Sequence, residues 1–273
     1  MLLDDSDDDD TAISSHDWKV ERALKCHGRN IFDFWHFLHD FPMLGLTHPI
    51  GRKIIRELKK SPKIVLNQSC WFRAGIDKKY LLTRPPHELV PEQRYNSGGQ
   101  PYSYLSNNAK CSVAEVIHNK ETKTAWVQRF QIEQLENVLD LRPWNDEDEN
   151  VDEKDERYSP FLIALIFCDL LTQCPEHYFT EYYSNKEDAQ KVKWKCAYLM
   201  PRFVSDAARY CGLSGVMYPS IRHCWQNLVV FNSDWNPKAD GDPYELSLTE
   251  EDSFDRNFVF NQGERGFILG GKC

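Results

Sequence analysis

The segment 94-RYNSGGQPYSYLSNNAKCSVAEV-116 carries three side chains whose types and spacing could perform chemistry. Arg94 precedes a Ser-Gly-Gly turn, and a guanidinium fork suits a phosphate group lying over such a turn. Tyr104 follows ten residues later and offers a hydroxyl for hydrogen bonding and a ring for stacking. Glu115 comes eleven residues after that, between apolar neighbours, where a carboxylate is costly unless it has a partner or a catalytic role.

The elements that must position these residues are indicated by the surrounding pattern. Residues 101–105 are predicted as a strand and residues 109–119 as a helix, so Tyr104 lies on the strand and Glu115 in the helix. Upstream, 63-KIVLNQSCWFRA-74 has the β-branched and aromatic composition of a strand. Further strands are predicted at 124–132, 137–141, 213–220, 227–231, 257–260 and 266–269. Helices are predicted at 160–172 and within 185–211.

The region before the first strand has a helical pattern. Ile31, Phe34 and Leu38 recur at helical spacing, and Pro42 and Pro49 interrupt the pattern. The mixture of helices and strands without strict alternation predicts an α+β fold. The predicted division is an acidic tail at 1–15, a helical N-terminal region at 16–60, a main domain at 61–235 and a C-terminal extension at 236–273.

The charge pattern argues against nucleic acid as a partner. The formal net charge of the 273 residues is -9, but six carboxylates lie within 4–10 and eight within 146–156. Outside these runs acidic and basic residues nearly balance, and the sequence shows no stripe of Lys and Arg of the kind that binds nucleic acid. The acidic runs are interpreted as solvated surface.

Cysteine usage and hydropathy predict a soluble, cytoplasmic protein. Nine Cys occur with no CxxC pair, which favours thiols in a reducing compartment over a disulfide scaffold. The acidic start MLLDDSDDDD is unlike a secretory signal. The longest apolar run, 161-FLIALIFC-168, falls short of the roughly 20 residues that a membrane span needs.

Several standard motifs are absent, since the sequence contains no GxGxxG, GxxxxGK[ST], HExxH or GxSxG. A dinucleotide held as a redox cofactor in a Rossmann domain is therefore not indicated. Cys26, His27, His36 and His39 lie close together, but their spacing matches a zinc site only loosely. They are interpreted as core or surface residues. No metal and no resident cofactor are expected.

Three segments together resemble the RES domain family. The first is the set Arg94, Tyr104 and Glu115 with the Gly-Gly turn and 101-PYSYLSNN-108 between them. The second is 71-WFRAG-75, and the third is 215-GVMYPSIRHCWQNLVVF-231. The resemblance spans about residues 63–232 in the family's order, so 61–235 is interpreted as a RES-like catalytic domain.

The resemblance implies a fold similar to ADP-ribosyltransferases, with mixed sheets and flanking helices. It also implies an NAD+-consuming toxin that cleaves the nicotinamide N-glycosidic bond, with NAD+ as substrate and inorganic phosphate or water as acceptor. An antitoxin or regulatory protein and a second copy of the chain are the implied partners. The implied catalytic residues are Glu115, Tyr104 and Arg94, and the implied substrate-binding residues are Arg73, Ser220, Asn227 and Tyr95.

The physical requirements of glycosidic cleavage suggest a role for each residue. A carboxylate near the ribose, Glu115, gains most as positive charge develops on the sugar. Arg73 and Arg94 supply fixed cations for phosphate groups. Tyr104 orients the nicotinamide ribose, and Ser220 hydrogen-bonds a phosphate or a hydroxyl. Asn227 is a weaker candidate because Asn is also a common turn residue.

Three alternatives remain open at the level of the sequence. The same carboxylate could serve ADP-ribosyl transfer to a protein. Arg29 and His36 fit the loose Arg-x6-His spacing of HEPN ribonucleases, which would make the N-terminal helices an RNA nuclease. The chain could also bind NAD+ or ADP-ribose without cleaving it.

Overall fold

The computed structural model describes eight parts of the chain. These are residues 15–82, 87–117, 124–142, 158–168, 198–220, 225–231, 235 and 237–249. The predicted tail up to residue 14, the acidic run 145–157 and the predicted strands at 257–260 and 266–269 lie outside the described residues. Within the described parts, none of the helices has the length and apolarity required to span a bilayer.

The predicted helical N-terminal region is confirmed. Helix α1 spans Ser15–Asp40, a 3-10 helix spans Pro42–Thr47, and helix α2 spans Pro49–Lys60. Pro49 stands at the start of α2, where its missing N–H costs nothing, and His48 caps the helix by accepting a hydrogen bond from the Ile50 amide at 3.2 Å. The apolar face of α1 is buried, and Phe34 meets Phe203 edge to face at 4.9 Å.

Three α-helices of the main domain lie within the described residues. Helix α3 spans Ala109–Val116, helix α4 spans Pro160–Phe167, and helix α5 spans Leu199–Tyr210. Helices α3 and α4 end before the predicted limits of 119 and 172, and residues 118–119, 169–172 and 185–197 of the predicted helices lie outside the described residues. The backbone is already extended at Ile117 after α3 and at Cys168 after α4.

Five strands close the sheet on itself. They are β1 (Lys63–Gly75), β2 (Ser103–Ser106), β3 (Thr124–Asp140), β4 (Gly215–Pro219) and β5 (Gln226–Val230). The order is β1-β2-β5-β4-β3, and β1 also pairs with β3, so the pairings form a ring. All these pairs are antiparallel except β3 with β4. Together with the helices, this arrangement confirms the α+β class.

Strand β3 corrects the prediction of two separate strands at 124–132 and 137–141. It is continuous for 17 residues and pairs with β1 over most of its length. Gln68 and Asn137 adopt positive φ angles of 44° and 58°, and the β1–β3 register shifts nearby, between Ile64 and Leu66. These irregularities let one long ribbon bend instead of ending.

Two short strands among the described residues were not predicted from the sequence. Strand β6 (Lys238–Ala239) and strand β7 (Tyr244–Ser247) both pair with β3. Their two and four residues carry little pattern of their own, so the pairing surface of β3 decides their conformation.

The ring of strands has an apolar interior and an outer face covered by helices. The interior is filled from every strand, by Trp71, Leu105, Phe130, Ile132, Leu135, Val138, Met217, Leu228 and Val230. The outer face carries Val216, Tyr218 and Val229, which belong to the same core cluster as the buried faces of α1, α4 and α5. Strand alternation and register put Tyr104, Ser106 and Asn227 on this outer face as well.

Candidate functional site

Glu115 lies where the ends of three strands meet. Asn108 begins α3 by accepting hydrogen bonds from the amides of Lys110 and Cys111, at 2.9 and 3.2 Å. The helix then brings the half-buried Glu115 beside Ser220, which directly follows β4, and Asn227, near the start of β5. Ser220 Oγ and Asn227 Nδ2 both donate to Oε1 of Glu115, at 2.6 and 2.7 Å. The structure therefore brings together three of the predicted site residues.

The side chain of Asn227 also has partners on the side away from Glu115. It lies opposite Ser106 of β2 on one side and Tyr218 of β4 on the other. Ser106 Oγ donates to Asn227 Oδ1 at 2.6 Å, and Cys111 Sγ lies 3.7 Å from the same oxygen. Ser106 and Cys111 were not singled out from the sequence, although Ser106 lies inside the quoted 101-PYSYLSNN-108.

Arg94 approaches the same region from the loop before β2. Its guanidinium lies 6.0 Å from the ring centroid of Tyr218, and Tyr95 packs on the same ring at 4.6 Å. Burial acts to lower the pKa of Arg94, but Tyr218, Tyr95, Glu115 and Tyr198 together raise it. The guanidinium is therefore a permanent positive charge in a pocket of aromatic rings and one carboxylate. Tyr218 was missed as a site residue, although it lies in the quoted Tyr-Pro-Ser sequence.

Tyr104 forms hydrogen bonds to the loop that carries Arg94. Its hydroxyl donates to Oδ1 of the buried Asn96 at 2.8 Å and accepts from the Tyr95 amide at 3.1 Å. Asn96 Nδ2 in turn donates to the carbonyl oxygens of Pro91 and Ser97. Gly99 in the same loop has φ +82°, which only glycine adopts without strain. Gly99, the second glycine of the Gly-Gly turn, is thus a conformational requirement of the loop.

Arg73 lies on β1 with a different orientation. Trp71, two residues before it, faces the interior of the ring, whereas Phe72 and Ala74 face the cluster that includes Val113 of α3. Alternation therefore directs Arg73 away from the strand face that α3 covers. Its role as a phosphate ligand stays a prediction.

A buried ion pair joins this loop to α5. Arg202 and Glu92, whose side chains are 10% and 16% exposed, form a hydrogen-bonded salt bridge through Nη1 and Oε1. Arg202 Nε also donates to the Tyr198 carbonyl at 3.1 Å. Because Glu92 precedes Arg94 by two residues, the pair anchors the segment that presents the guanidinium. This ion pair was not predicted, because its partners are 110 residues apart in the chain.

The residues of the nuclease hypothesis make ordinary helix contacts. Arg29 is largely exposed and pairs with Asp33 at 3.0 Å, and the ring of His36 meets Phe32 at 4.5 Å. Burial lowers the pKa of His36. The HEPN-like assignment of the N-terminal helices is not confirmed. Over the described ranges, the structure contains no group of three or more His, Cys, Asp or Glu side chains that could hold a metal ion.

The phenols of the site give a testable pH dependence. Burial raises the pKa of Tyr95, Tyr104 and Tyr218, and Glu115 adds to the effect at Tyr218. Since their folded pKa values lie above the unfolded value of about 10, these groups favour the folded state fully below that pH. We expect the free energy of unfolding to fall as pH rises from about 10 towards the folded pKa values.

Thermal unfolding as a function of pH, followed together with the ultraviolet absorbance of tyrosinate, measures this dependence. Tyr104→Phe removes one of the three titrating phenols and should make the alkaline loss of stability shallower. Tyrosinate that forms in the folded chain with no loss of stability would contradict the expectation.

Comparison with known proteins identifies a family and a similar solved structure. The profile of the RES domain family matches residues 71–256, a range that includes all seven predicted site residues. A chain in the crystal structure of the M. tuberculosis MbcT-MbcA toxin-antitoxin complex is similar with a TM-score of 0.38 and 14% sequence identity. That similarity covers 72% of this chain and 92% of the other. None of the curated proteins compared with the chain matches it.

Proposed function

The chain belongs to the RES domain family, and from that premise we propose that it consumes NAD+ by cleaving the nicotinamide N-glycosidic bond. The observation that carries the proposal is the fixed Glu115 carboxylate, which accepts hydrogen bonds from Ser220 and Asn227 beside the Arg94 cation. The fold similarity to ADP-ribosyltransferases belongs to the same proposal.

The reaction needs a negative group near the ribose. When the bond between ribose C1′ and the nicotinamide nitrogen breaks, both electrons leave with the nitrogen, and nicotinamide departs neutral. The positive charge that it carried develops on C1′ and the ring oxygen of the ribose. A fixed carboxylate stabilises this charge more in the transition state than in the ground state, which is the condition for catalysis.

The acceptor then attacks C1′ and completes the transfer of ADP-ribose. If the acceptor is water, its proton must be removed, and Glu115 can accept it. If the acceptor is phosphate, the new bond joins a phosphate oxygen to C1′ and gives ADP-ribose 1-phosphate. Arg94 supplies the cationic donor for a phosphate group at this place.

The surrounding residues suit these tasks to different degrees. Tyr104 has both hydrogen-bonding functions of its hydroxyl engaged by Asn96 and the Tyr95 amide, which supports a role in fixing the loop of Arg94. Tyr95 and Tyr218 pack with tilted rings next to that guanidinium. Arg73 is proposed as a second phosphate ligand by the family resemblance alone.

Product analysis after incubation of the purified chain with NAD+ tests the proposal. We expect nicotinamide release in buffer that contains inorganic phosphate, and a matched buffer without phosphate shows whether release depends on it. ADP-ribose 1-phosphate formed only with phosphate indicates a phosphorylase, and ADP-ribose in every buffer indicates a glycohydrolase. If NAD+ stays intact but calorimetry detects its binding, the chain binds NAD+ without cleaving it. If the ADP-ribose part of labelled NAD+ becomes attached to protein, the reaction is ADP-ribosyl transfer to a protein.

The biological role proposed with this reaction is that of a toxin or a defence effector that depletes NAD+. Such an activity requires control, so an antitoxin or regulatory protein is the proposed partner, and a homodimer the proposed assembly. Expression of the active chain should arrest growth of its host, and a Glu115 variant should not. Equal growth arrest by the active chain and the Glu115 variant would show that toxicity does not depend on NAD+ cleavage.

A further inference from the structure

A chain of hydrogen bonds runs from the Ser106 hydroxyl to the Glu115 carboxylate. Ser106 Oγ donates to Asn227 Oδ1 at 2.6 Å, and Asn227 Nδ2 donates to Glu115 Oε1 at 2.7 Å. The three residues come from β2, β5 and α3, so the chain crosses the junction of these elements. Both lengths lie within the range of hydrogen bonds of their kind.

The amide of Asn227 has one orientation that satisfies its neighbours. A flipped amide would set its oxygen against the Glu115 carboxylate, which only accepts hydrogen bonds when ionised. In the observed orientation the oxygen receives the Ser106 hydroxyl, with the Cys111 thiol nearby, and the NH2 group points to the carboxylate. The carboxylate therefore fixes the orientation of the amide, and the Ser106 hydroxyl, which can donate or accept, holds the amide there by donating to its oxygen.

Burial separates these two residues from any ligand. Ser106 and Asn227 are 3% and 2% exposed, whereas Glu115 is only half-buried. A ligand can therefore reach the carboxylate but not the amide or the hydroxyl behind it. This distinguishes Asn227 from the substrate-binding role that the sequence suggested.

We propose that Ser106 and Asn227 are positioning residues that hold the Glu115 carboxylate in place for the reaction. The proposal rests on the proposed function, because it takes Glu115 as the group that stabilises the ribose cation. A carboxylate that rotates away from C1′ loses transition-state stabilisation without losing substrate binding. The chain of hydrogen bonds therefore acts on kcat and not on KM.

The test compares Ser106→Ala, Ser106→Thr and the matched control Ser103→Ala. Ser103 is also buried on β2, but it lies on the opposite face of that strand. We expect Ser106→Ala to lower kcat for nicotinamide release about five- to tenfold with KM within about twofold, the effect of one lost hydrogen bond. Ser106→Thr, which keeps the hydroxyl, should restore most of kcat, and Ser103→Ala should leave kcat unchanged.

A second measurement does not depend on activity. The side-chain amide protons of Asn227 are observed by NMR with 15N-labelled protein, assigned through Asn227→Ser. We expect Ser106→Ala to shift these resonances and to speed their exchange with solvent, and Ser103→Ala to do neither. An amide signal unaffected by Ser106→Ala overturns the positioning role, even if the wild-type chain releases no nicotinamide. The absence of release alone overturns the proposed function and leaves the amide measurement to decide the chain of hydrogen bonds.

Two kinetic results would also overturn the inference in an active chain. The first is a Ser106→Ala variant with wild-type kcat. The second is an equal loss of kcat in Ser103→Ala, which would assign the effect to packing of β2.

Discussion

Glu115→Gln is expected to lower the rate of nicotinamide release about 10²- to 10³-fold, the usual cost of removing one preorganised electrostatic group. The amide has the shape of the carboxylate, and its oxygen can still accept from Ser220 and Asn227. The fold and the hydrogen bonds should therefore survive while the negative charge is lost. Steady-state kinetics and thermal unfolding of the same preparation measure both consequences.

The matched control for this variant is Glu133→Gln. Glu133 is exposed on β3, so its neutralisation changes the net charge by the same amount at a distance from the site. Wild-type kinetics are expected for it. A Glu115→Gln variant that keeps more than about a tenth of the wild-type rate would remove Glu115 as the main stabiliser of the ribose cation.

Local pattern was sufficient where an element is determined by its own residues. The strand at 63–74 and the amphipathic helices before it were predictable because their apolar residues repeat with the right period. The continuity of β3 was not predictable, because its polar middle stays in the strand through pairing with β1. Strands β6 and β7 depend in the same way on a partner far along the chain.

The residues of the candidate site also differ in whether local sequence or distant contacts determine their role. Glu115 and Arg94 were predicted because their residue types are those that the chemistry needs, and Ser220 was predicted from the family resemblance. The positions of Ser106, Glu92 and Arg202 depend on contacts across 110 residues or more, which a single sequence does not reveal. Asn227 shows how far residue type alone can predict a role. Its identity indicated a polar site residue, but only its burial behind Glu115 distinguishes positioning from binding.

Arg202→Met is expected to lower the free energy of unfolding by about 3 kcal/mol. The variant leaves the Glu92 carboxylate buried without its cation, and the cost of an unpaired buried charge exceeds the lost attraction itself. Chemical denaturation of the wild type and the variant measures the difference. Arg129→Met is the matched control, because its ion pair with Asp240 is about half exposed and should contribute less than about 1 kcal/mol.

The double variant Glu92→Gln/Arg202→Met separates stability from positioning. Neutralising Glu92 removes the buried charge, so most of the lost stability should return. The loop that carries Arg94 nevertheless stays without its anchor on α5. We therefore expect KM for NAD+ to remain raised several-fold in the double variant, since a looser guanidinium binds phosphate less well. A KM that recovers together with stability would show that Tyr104 and Asn96 hold the loop without the ion pair.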